Sequence, residues 1–447
     1  MNDSNEMNQR KAQLEQMVAD LLSEAKKQGA SAAEAGVSLD AGLSATIRKG
    51  DVETIEHTRD QGLGVTVYFG QRKGSASTSD FSLQGISDTV TAACNIARYT
   101  TGDDCNGLAD AELMAKDVPD LDLYHPWDIS VDQAIDQAIA CETAALEVDE
   151  RINNSEGATV NTHNGLQVYG NSHGFVGGYP SSRHSISCAV VGQEGDTMQR
   201  DYWYSAQRIA ELLESPEQIG RTAGERTLAR LGARRIDTCQ VPVIFQAEMA
   251  VGLVRSLLGA IRGSALYRKS SFLLDQMGEQ IFPEFVQIHE DPLLPQGLAS
   301  AAFDGEGVAT RPKEIIKDGV LETYLLGSYS ARKLGMQTTG NAGGARNIFV
   351  TPGDKDLQSL MKEMGRGLLV TEMMGHGLNM VTGDYSRGAA GFWVENGEIQ
   401  FPVEEITIAG NLKEMFQQLV AVGNDEERRG STRTGSWLIE QMTVAGS

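Results

Sequence analysis

The sequence is poor in the residues that would cross-link it. Five cysteines are spread over 447 residues, at Cys94, Cys105, Cys141, Cys188 and Cys239. Their number is odd and no two have CxxC spacing. That argues against a disulfide framework and a cysteine-based zinc site, and favours a reducing compartment. Proline is scarce too, with 11 residues against 49 glycines, which favours tight turns and hairpins over Pro-rich linkers. No run of 18 apolar residues occurs, so no helical membrane span is expected. The first residues, MNDSNEMNQRKAQLEQ, lack the apolar stretch of a secretory signal. Positive charge is also short: 38 Lys and Arg stand against 61 Asp and Glu, for a formal net charge of −23. Such a surface repels nucleic-acid phosphates and anionic lipid, so neither is expected as a direct partner. It suits a cytoplasmic protein, either for solubility alone or for substrates that carry basic groups.

Hydrophobic residues make up 40% of the chain and charged residues 22%, which is ordinary for a globular protein able to bury sizeable cores. The first few residues are expected to fray. From about Asn8, the spacing of Leu14, Met17, Val18, Leu21, Leu22 and Ala25 predicts a helix stopped at Gly29. Two hairpin-like units follow, one turning at Lys49-Gly50-Asp51 and one after the alternating Val65, Val67 and Phe69. A helix over ISDTVTAACNIARYT comes next, then an acidic linker at about 117–129. Ser130 and Gln133 form a capping box that opens an Ala-rich helix to about Glu147. Residues 151–205 read as Gly-punctuated strands, closed by two helices, AQRIAELLES and EQIGRTAGERTLARLG. A fresh strand, VPVIF, starts at Val241. Beyond it, GVLETYLLGSYS and GAAGFWVENGEIQ read as strands, with helices near 247–262 and 355–366. There is no regular βαβ alternation, so the expected class is α+β: an N-terminal helix-and-hairpin α/β region, then a strand-rich C-terminal domain with mixed and antiparallel sheets. The expected divisions are an N-terminal α+β domain at 1–125, a middle segment packing with it at 126–238, and the C-terminal domain at 239–447.

Seven histidines bound any His-based metal site: His57, His125, His163, His173, His184, His289 and His376. His163, His173 and His184 recur about one hairpin apart, but each sits in a turn-rich polar segment, and no HxH or helical i,i+4 pair supports a site. Neither Gly-rich stretch, TGNAGGARN (339–347) or GDYSRGAAGFW (383–393), has the strand–loop–helix setting of a phosphate loop. Their glycines suit close backbone approach, either between strands or to an extended peptide held by main-chain hydrogen bonds. No G-x-S-x-G elbow is present. Trp203, Trp393 and Trp437 read as packing residues. The stretch TEMMGHG (371–377) looks like a zinc-peptidase helix one ligand short. Thr371 stands where a first His would be, and the Gly residues around His376 argue against a helix. It reads instead as a strand running into a loop.

Several long motifs then point one way: KDGVLETYLLGSYSARKLG, TGNAGG and VTGDYSRGAAGFWVENGEIQFPVEEITIAGNL, with RKGSASTSD and VYGNSHG earlier. Together they resemble the TldD/PmbA peptidase family over nearly the whole chain, and within it the PmbA (TldE) type of subunit. The resemblance implies a two-subunit cytoplasmic metallopeptidase that processes or degrades peptides. It implies a heterodimer with a TldD-like partner carrying the zinc on an HExxxH motif, plus a late Cys ligand. The matching segment here, after VPVIFQ, is AEMAVG. The two His positions are then Ala247 and Gly252, the Glu is kept as Glu248, and the Cys position falls near Thr434. This chain is accordingly expected to hold no metal of its own, with Glu248 a vestige of the catalytic Glu. His376 and Arg387 are candidate peptide-binding residues. A like-folded sister subunit also makes a homodimer an option. Two rival readings stand beside this one. One is a peptidase active alone through His376, Glu372 and His173. The other is a non-catalytic adaptor or regulator, in line with family names that refer to DNA gyrase.

Overall fold

The computed structural model describes residues 3–446. The first helix, α1 (Asp3–Lys27), starts before Asn8; Met1 and Asn2, at the expected frayed end, lie outside the described residues. It leads into three strands, β1 (Ala32–Arg48), β2 (Asp51–Phe69) and β3 (Arg72–Thr78), and then α2 (Leu83–Tyr99) and α3 (Val131–Leu146). Three more strands follow, β4 (Ile152–Asn171), β5 (Val176–Glu194) and β6 (Thr197–Gln207), and then α4 (Pro216–Ala229). All six strands form one antiparallel sheet in the order β3-β2-β1-β4-β5-β6. The turn between β1 and β2 falls at Lys49-Gly50, both at positive φ. The fully paired β1 joins the early and middle segments of the chain in a single sheet.

Alternation along these strands sends one set of side chains to each face. Ala33, Ala35 and Val37 pack with α1 and α2, and Ala45 and Ile47 pack with α3 and α4. These five positions, all odd-numbered on β1, therefore point to the helical side. The capping box at Ser130 and Gln133 is present at the start of α3. Farther along α3, the buried Glu142 accepts hydrogen bonds from the amides of Lys49 and Gly50, each at 2.8 Å, and so holds the β1–β2 turn from below. The opposite face of the sheet, which carries Gly36, Ser38, Gly62 and Gly64, looks towards the C-terminal region.

That region starts with β7 (Cys239–Phe245), α5 (Ala247–Ala260) and α6 (Gly263–Tyr267), followed by β8 (Ile288–Glu290), β9 (Lys313–Lys317), β10 (Val320–Leu321) and α7 (Ser328–Lys333). It continues through β11 (Ile348–Val350), α8 (Leu357–Met364), β12 (Gly367–Met374), β13 (Asp384–Glu395) and β14 (Glu398–Asn411). It ends with α9 (Leu412–Gln417), β15 (Leu419–Val422), β16 (Thr432–Arg433) and β17 (Trp437–Ala445). One sheet runs β14-β13-β12-β7-β17-β15, and a further pairing of β14 with β17 closes five of its strands into a ring. Only β12–β7 is parallel there. The second sheet, β10-β9-β8-β11-β16, is short-stranded and mixed. A core containing Phe245, Phe282, Phe416 and Trp437 fills the region. The class is α+β, with mixed and antiparallel sheets.

Two expected elements are absent in the form read from the sequence. AQRIAELLES is not a helix: β6 runs to Gln207 and only a 3-10 turn, Ala210–Leu212, follows. Leu213 is extended, and Ser215 is the N-cap of α4 with Pro216 in its first turn. A residue before proline is driven out of the helical region, so no helix can run through Ser215. GVLETYLLGSYS holds only the two-residue β10 and then turns into α7. Its apolar Tyr324, Leu325 and Leu326 are buried all the same, with Leu325 joined to Arg262 by a single bridge.

Candidate functional site

Two places could carry function: the segment that follows β7, and a cleft between the large sheet and the C-terminal region. At the first, β7 passes through Gln246 into α5, so Glu248 lies in the first turn of that helix. Its carboxylate meets two guanidinium groups, Arg226 of α4 at 3.0 Å and Arg429 of the loop before β16 at 2.9 Å. Arg226 also reaches Asp201 of β6 at 3.4 Å. Arg230, the C-cap of α4, lies 3.6 Å from Asp201 and pairs with Glu372 of β12. Arg429 pairs with Glu427 and lies flat against Trp203, 3.6 Å from the ring centre. Four carboxylates and three guanidinium groups thus form one continuous network where α4, β6, α5 and β12 meet. Burial pulls the Arg429 pKa down, but hydrogen bonding to Glu427 and the charges of Glu248 and Glu427 outweigh it, so the net direction is up.

The neighbouring positions have no donors to add. Ala247 is buried and aliphatic. A side chain at Gly252 would start 3.2 Å from the Met373 methyl group. The Thr434 hydroxyl is fully buried and committed: it accepts a hydrogen bond from the Trp437 indole at 2.8 Å and donates to the Gly435 carbonyl at 3.1 Å. A structural or catalytic zinc needs three or four N, S or O ligands. One carboxylate held by two cations, with Ala, Gly and a committed Thr around it, does not fit that ion. Among the described residues no group of three or more His, Cys, Asp and Glu is arranged to hold a metal.

Of the other candidate residues, Glu372, His376 and Arg387 share the β12–β13 hairpin, where Met374 lies opposite Gly388 and the Ser386 amide donates to the Gly377 carbonyl at 2.7 Å, whereas His163, His173 and His184 lie on the β4–β5 hairpin. His376 follows Gly375, which turns the chain at φ +76° after β12, and it is exposed. Arg387 lies on β13, where its Nε is buried without a partner. Glu372 is taken up by Arg230. His173, in the β4–β5 turn, is hydrogen-bonded to the Ala109 carbonyl at 3.1 Å. His163 stands 3.2 Å from Asp40, and His184 is buried against the His125 carbonyl at 2.8 Å.

The second place was not read from the sequence as a site. A cavity of about 680 Å³ lies between the non-helical face of the large sheet and a wall made by Phe303, Asp304, Gly305 and Arg346. Its floor is nearly bare, because Gly36 faces Gly64 across β1–β2 and Ser38 faces Gly62. A second cavity continues past Gly36 and Gly64 towards Glu34, Lys73 and Glu306. Burial pushes the Glu34 carboxyl up, against hydrogen bonds from Tyr169 at 2.9 Å and Tyr68 at 3.0 Å. Burial also pushes Asp304 up, to about 6, against hydrogen bonds from the amides of Ala342, Glu306 and Val308. The glycine run TGNAGGARN forms part of this wall. Its close approach is real: Gly305 donates to the Ala342 carbonyl at 2.9 Å.

The α+β fold, with a donor-poor site at the head of α5, is the frame in which the comparisons fall. Family models for the PmbA/TldA metallopeptidase match the chain in three parts: domain 1 at residues 33–97, the central domain at 124–231 and the C-terminal domain at 238–446. The metalloprotease PmbA of Escherichia coli O157:H7 is 53% identical over 414 residues, spanning 93% of this chain and 92% of that protein. A metalloprotease PmbA homolog of Haemophilus influenzae is 50% identical, spanning 97% and 96%. A crystal structure from Bacteroides thetaiotaomicron, described as a candidate modulator of DNA gyrase, superposes with a TM-score of 0.92 at 30% identity, covering 97% of this chain and 98% of that one. TldE from Thermococcus kodakarensis shares the fold, with a TM-score of 0.83 at 21% identity over 96% and 100%. The chain belongs to the PmbA/TldD metallopeptidase family.

Proposed function

We propose that this chain is the metal-free subunit of a two-subunit cytoplasmic peptidase, and that it holds peptide for a TldD-like partner that carries the zinc. The observation that carries the reading is the residue set at the head of α5. Glu248 is locked between Arg226 and Arg429, and the flanking positions are Ala247, Gly252 and Thr434. A carboxylate paired with two cations is a poor general base, because its lone pairs are occupied and no metal-bound or side-chain nucleophile lies beside it. Glu248 therefore ties α5 to α4 and the late loop and takes no proton. The cleft over the large sheet supports the peptide-holding part of the proposal. Its floor of Gly and Ser leaves room for an extended backbone, and Tyr169, Tyr179 and Phe303 offer apolar walls. The substrates would be peptides and small unfolded proteins, which can enter such a cleft in extended form.

The test is metal content and peptide cleavage of the purified chain, alone and mixed with a TldD-type partner. The expected result is less than stoichiometric zinc and no cleavage alone, with chelator-sensitive cleavage on mixing. Sedimentation of the mixture should show a heterodimer. Cleavage by the chain alone would overturn the proposal, and so would a mixture no more active than the partner by itself.

A further inference from the structure

We infer that Arg346 is the group in the cleft that receives a carboxylate of the bound peptide; this rests on the reading of the cleft as a peptide site. Two buried acids fix the loop that carries it. Glu290, fully buried on β8, accepts hydrogen bonds from the Asn341 side chain at 2.9 Å and from the Arg346 amide at 2.6 Å. Asp304 accepts one from the Ala342 amide at 2.9 Å. The loop is thus pinned before and at Arg346, and the side chain lines the cleft with Tyr179 and Phe303. Its charge lies close enough to oppose the rise that burial imposes on the Tyr179 phenol.

Among the described residues the Arg346 guanidinium has neither a hydrogen-bond nor an ion-pair partner, and its Nε is shut off from solvent. A guanidinium presents five donors in a fixed fork, and leaving part of it buried and unpaired is costly. Among the described residues no acid around the cleft pairs with it; each accepts from other donors. Glu34 is held by two tyrosines, Asp304 by three backbone amides, and Glu306 by the Ser328 amide at 2.8 Å. Of the acid and the base that line the first cavity, Asp304 is held by backbone amides, whereas the Arg346 guanidinium is unpaired among the described residues. The planar fork matches a carboxylate through two parallel hydrogen bonds. Such a group reaches the cleft from a free peptide C-terminus or from an Asp or Glu side chain.

The experiment measures binding of short, unstructured, fluorescently labelled peptides to the full chain by anisotropy. One peptide ends in a free carboxylate, the second is its C-terminal amide, and the third is the amide with one internal Glu. The wild type should bind the free acid, the Glu-bearing amide, or both, about tenfold more tightly than the plain amide. Which of the two gains identifies the source of the carboxylate. Arg346→Gln should bind all three alike, at the level of the plain amide, and Arg346→Lys should keep part of the preference. Thermal unfolding of Arg346→Gln is expected at or above the wild-type temperature, since the side chain holds no other group and a buried unpaired charge is removed. Equal binding of all three peptides by the wild type would overturn the inference while leaving the cleft reading standing, and so would an Arg346→Gln variant that keeps the preference. No binding of any peptide would overturn both.

Discussion

Glu248→Ala is the sharpest probe of the network at the head of α5. The side chains of Glu248, Arg226 and Arg429 are 13%, 18% and 10% exposed, so the pairs are largely withdrawn from water. Removing one partner of a buried ion pair costs about 3–5 kcal/mol, because the other charge is left unpaired. Here each cation keeps a second acid, Asp201 for Arg226 and Glu427 for Arg429. The expected loss is therefore about half of that, ~2 kcal/mol. Glu248→Gln keeps the shape and one acceptor and should lose about 1 kcal/mol. The assay is urea unfolding followed by tryptophan fluorescence, since Trp203 lies under Arg429 and reports on this junction. A double-mutant cycle with Arg429→Ala should give a coupling of about 1 kcal/mol or more. High salt should reduce it little, because screening acts mainly on exposed charges. A Glu248→Ala variant within about 0.5 kcal/mol of the wild type would refute the argument and class the residue with ordinary surface positions.

Glu142→Ala should cost about 1–3 kcal/mol by stripping the Lys49 and Gly50 amides of their shared acceptor. Hydrogen exchange should quicken at those two amides first, and unchanged exchange there would contradict the assignment. Asp304 adds a pH dependence whose sign is definite. Its folded pKa, about 6, lies above its ordinary value of 3.8, so its contribution to stability is full below about pH 4 and is lost as pH rises through 6. Asp304→Asn should remove this part of the slope between those pH values in thermal unfolding. An unchanged slope would show that the carboxyl titrates normally.

Local signals carried over well where a short segment contains its own instructions. The apolar stripe of α1, the glycine after Lys49 and the Ser130–Gln133 box each specify their element without reference to distant residues. AQRIAELLES (206–215) and GVLETYLLGSYS (319–330) do not take the form their spacing suggests: Pro216 keeps a helix from running through Ser215 and Leu212 is left exposed, while Tyr324, Leu325 and Leu326 are buried on irregular backbone, which periodicity cannot represent. TEMMGHG resolved as expected into β12 and a Gly375 turn. At the site, the absence of ligand side chains at Ala247 and Gly252 was legible in the sequence. The partners of Glu248 were not, since Arg226 and Arg429 come from elements joined to it only in space. The cleft was hidden for the same reason. Its floor and wall lie far apart along the chain, and its one sequence signal was the glycine run that carries Arg346.

The pairing of β1 with β4 also bears on how the chain is made. β1 is complete at Arg48, but its second neighbour is complete only at Asn171. At about 5–20 residues per second, a ribosome needs roughly 6–25 s to deliver the residues between them. Throughout that interval a strand of 17 residues has one open edge, which is the form of backbone most prone to pair with the wrong chain. Folding of the first hundred residues is therefore held to the pace of translation. A chain cut off after residue 125 would keep that open edge permanently, and it should be recovered as aggregate.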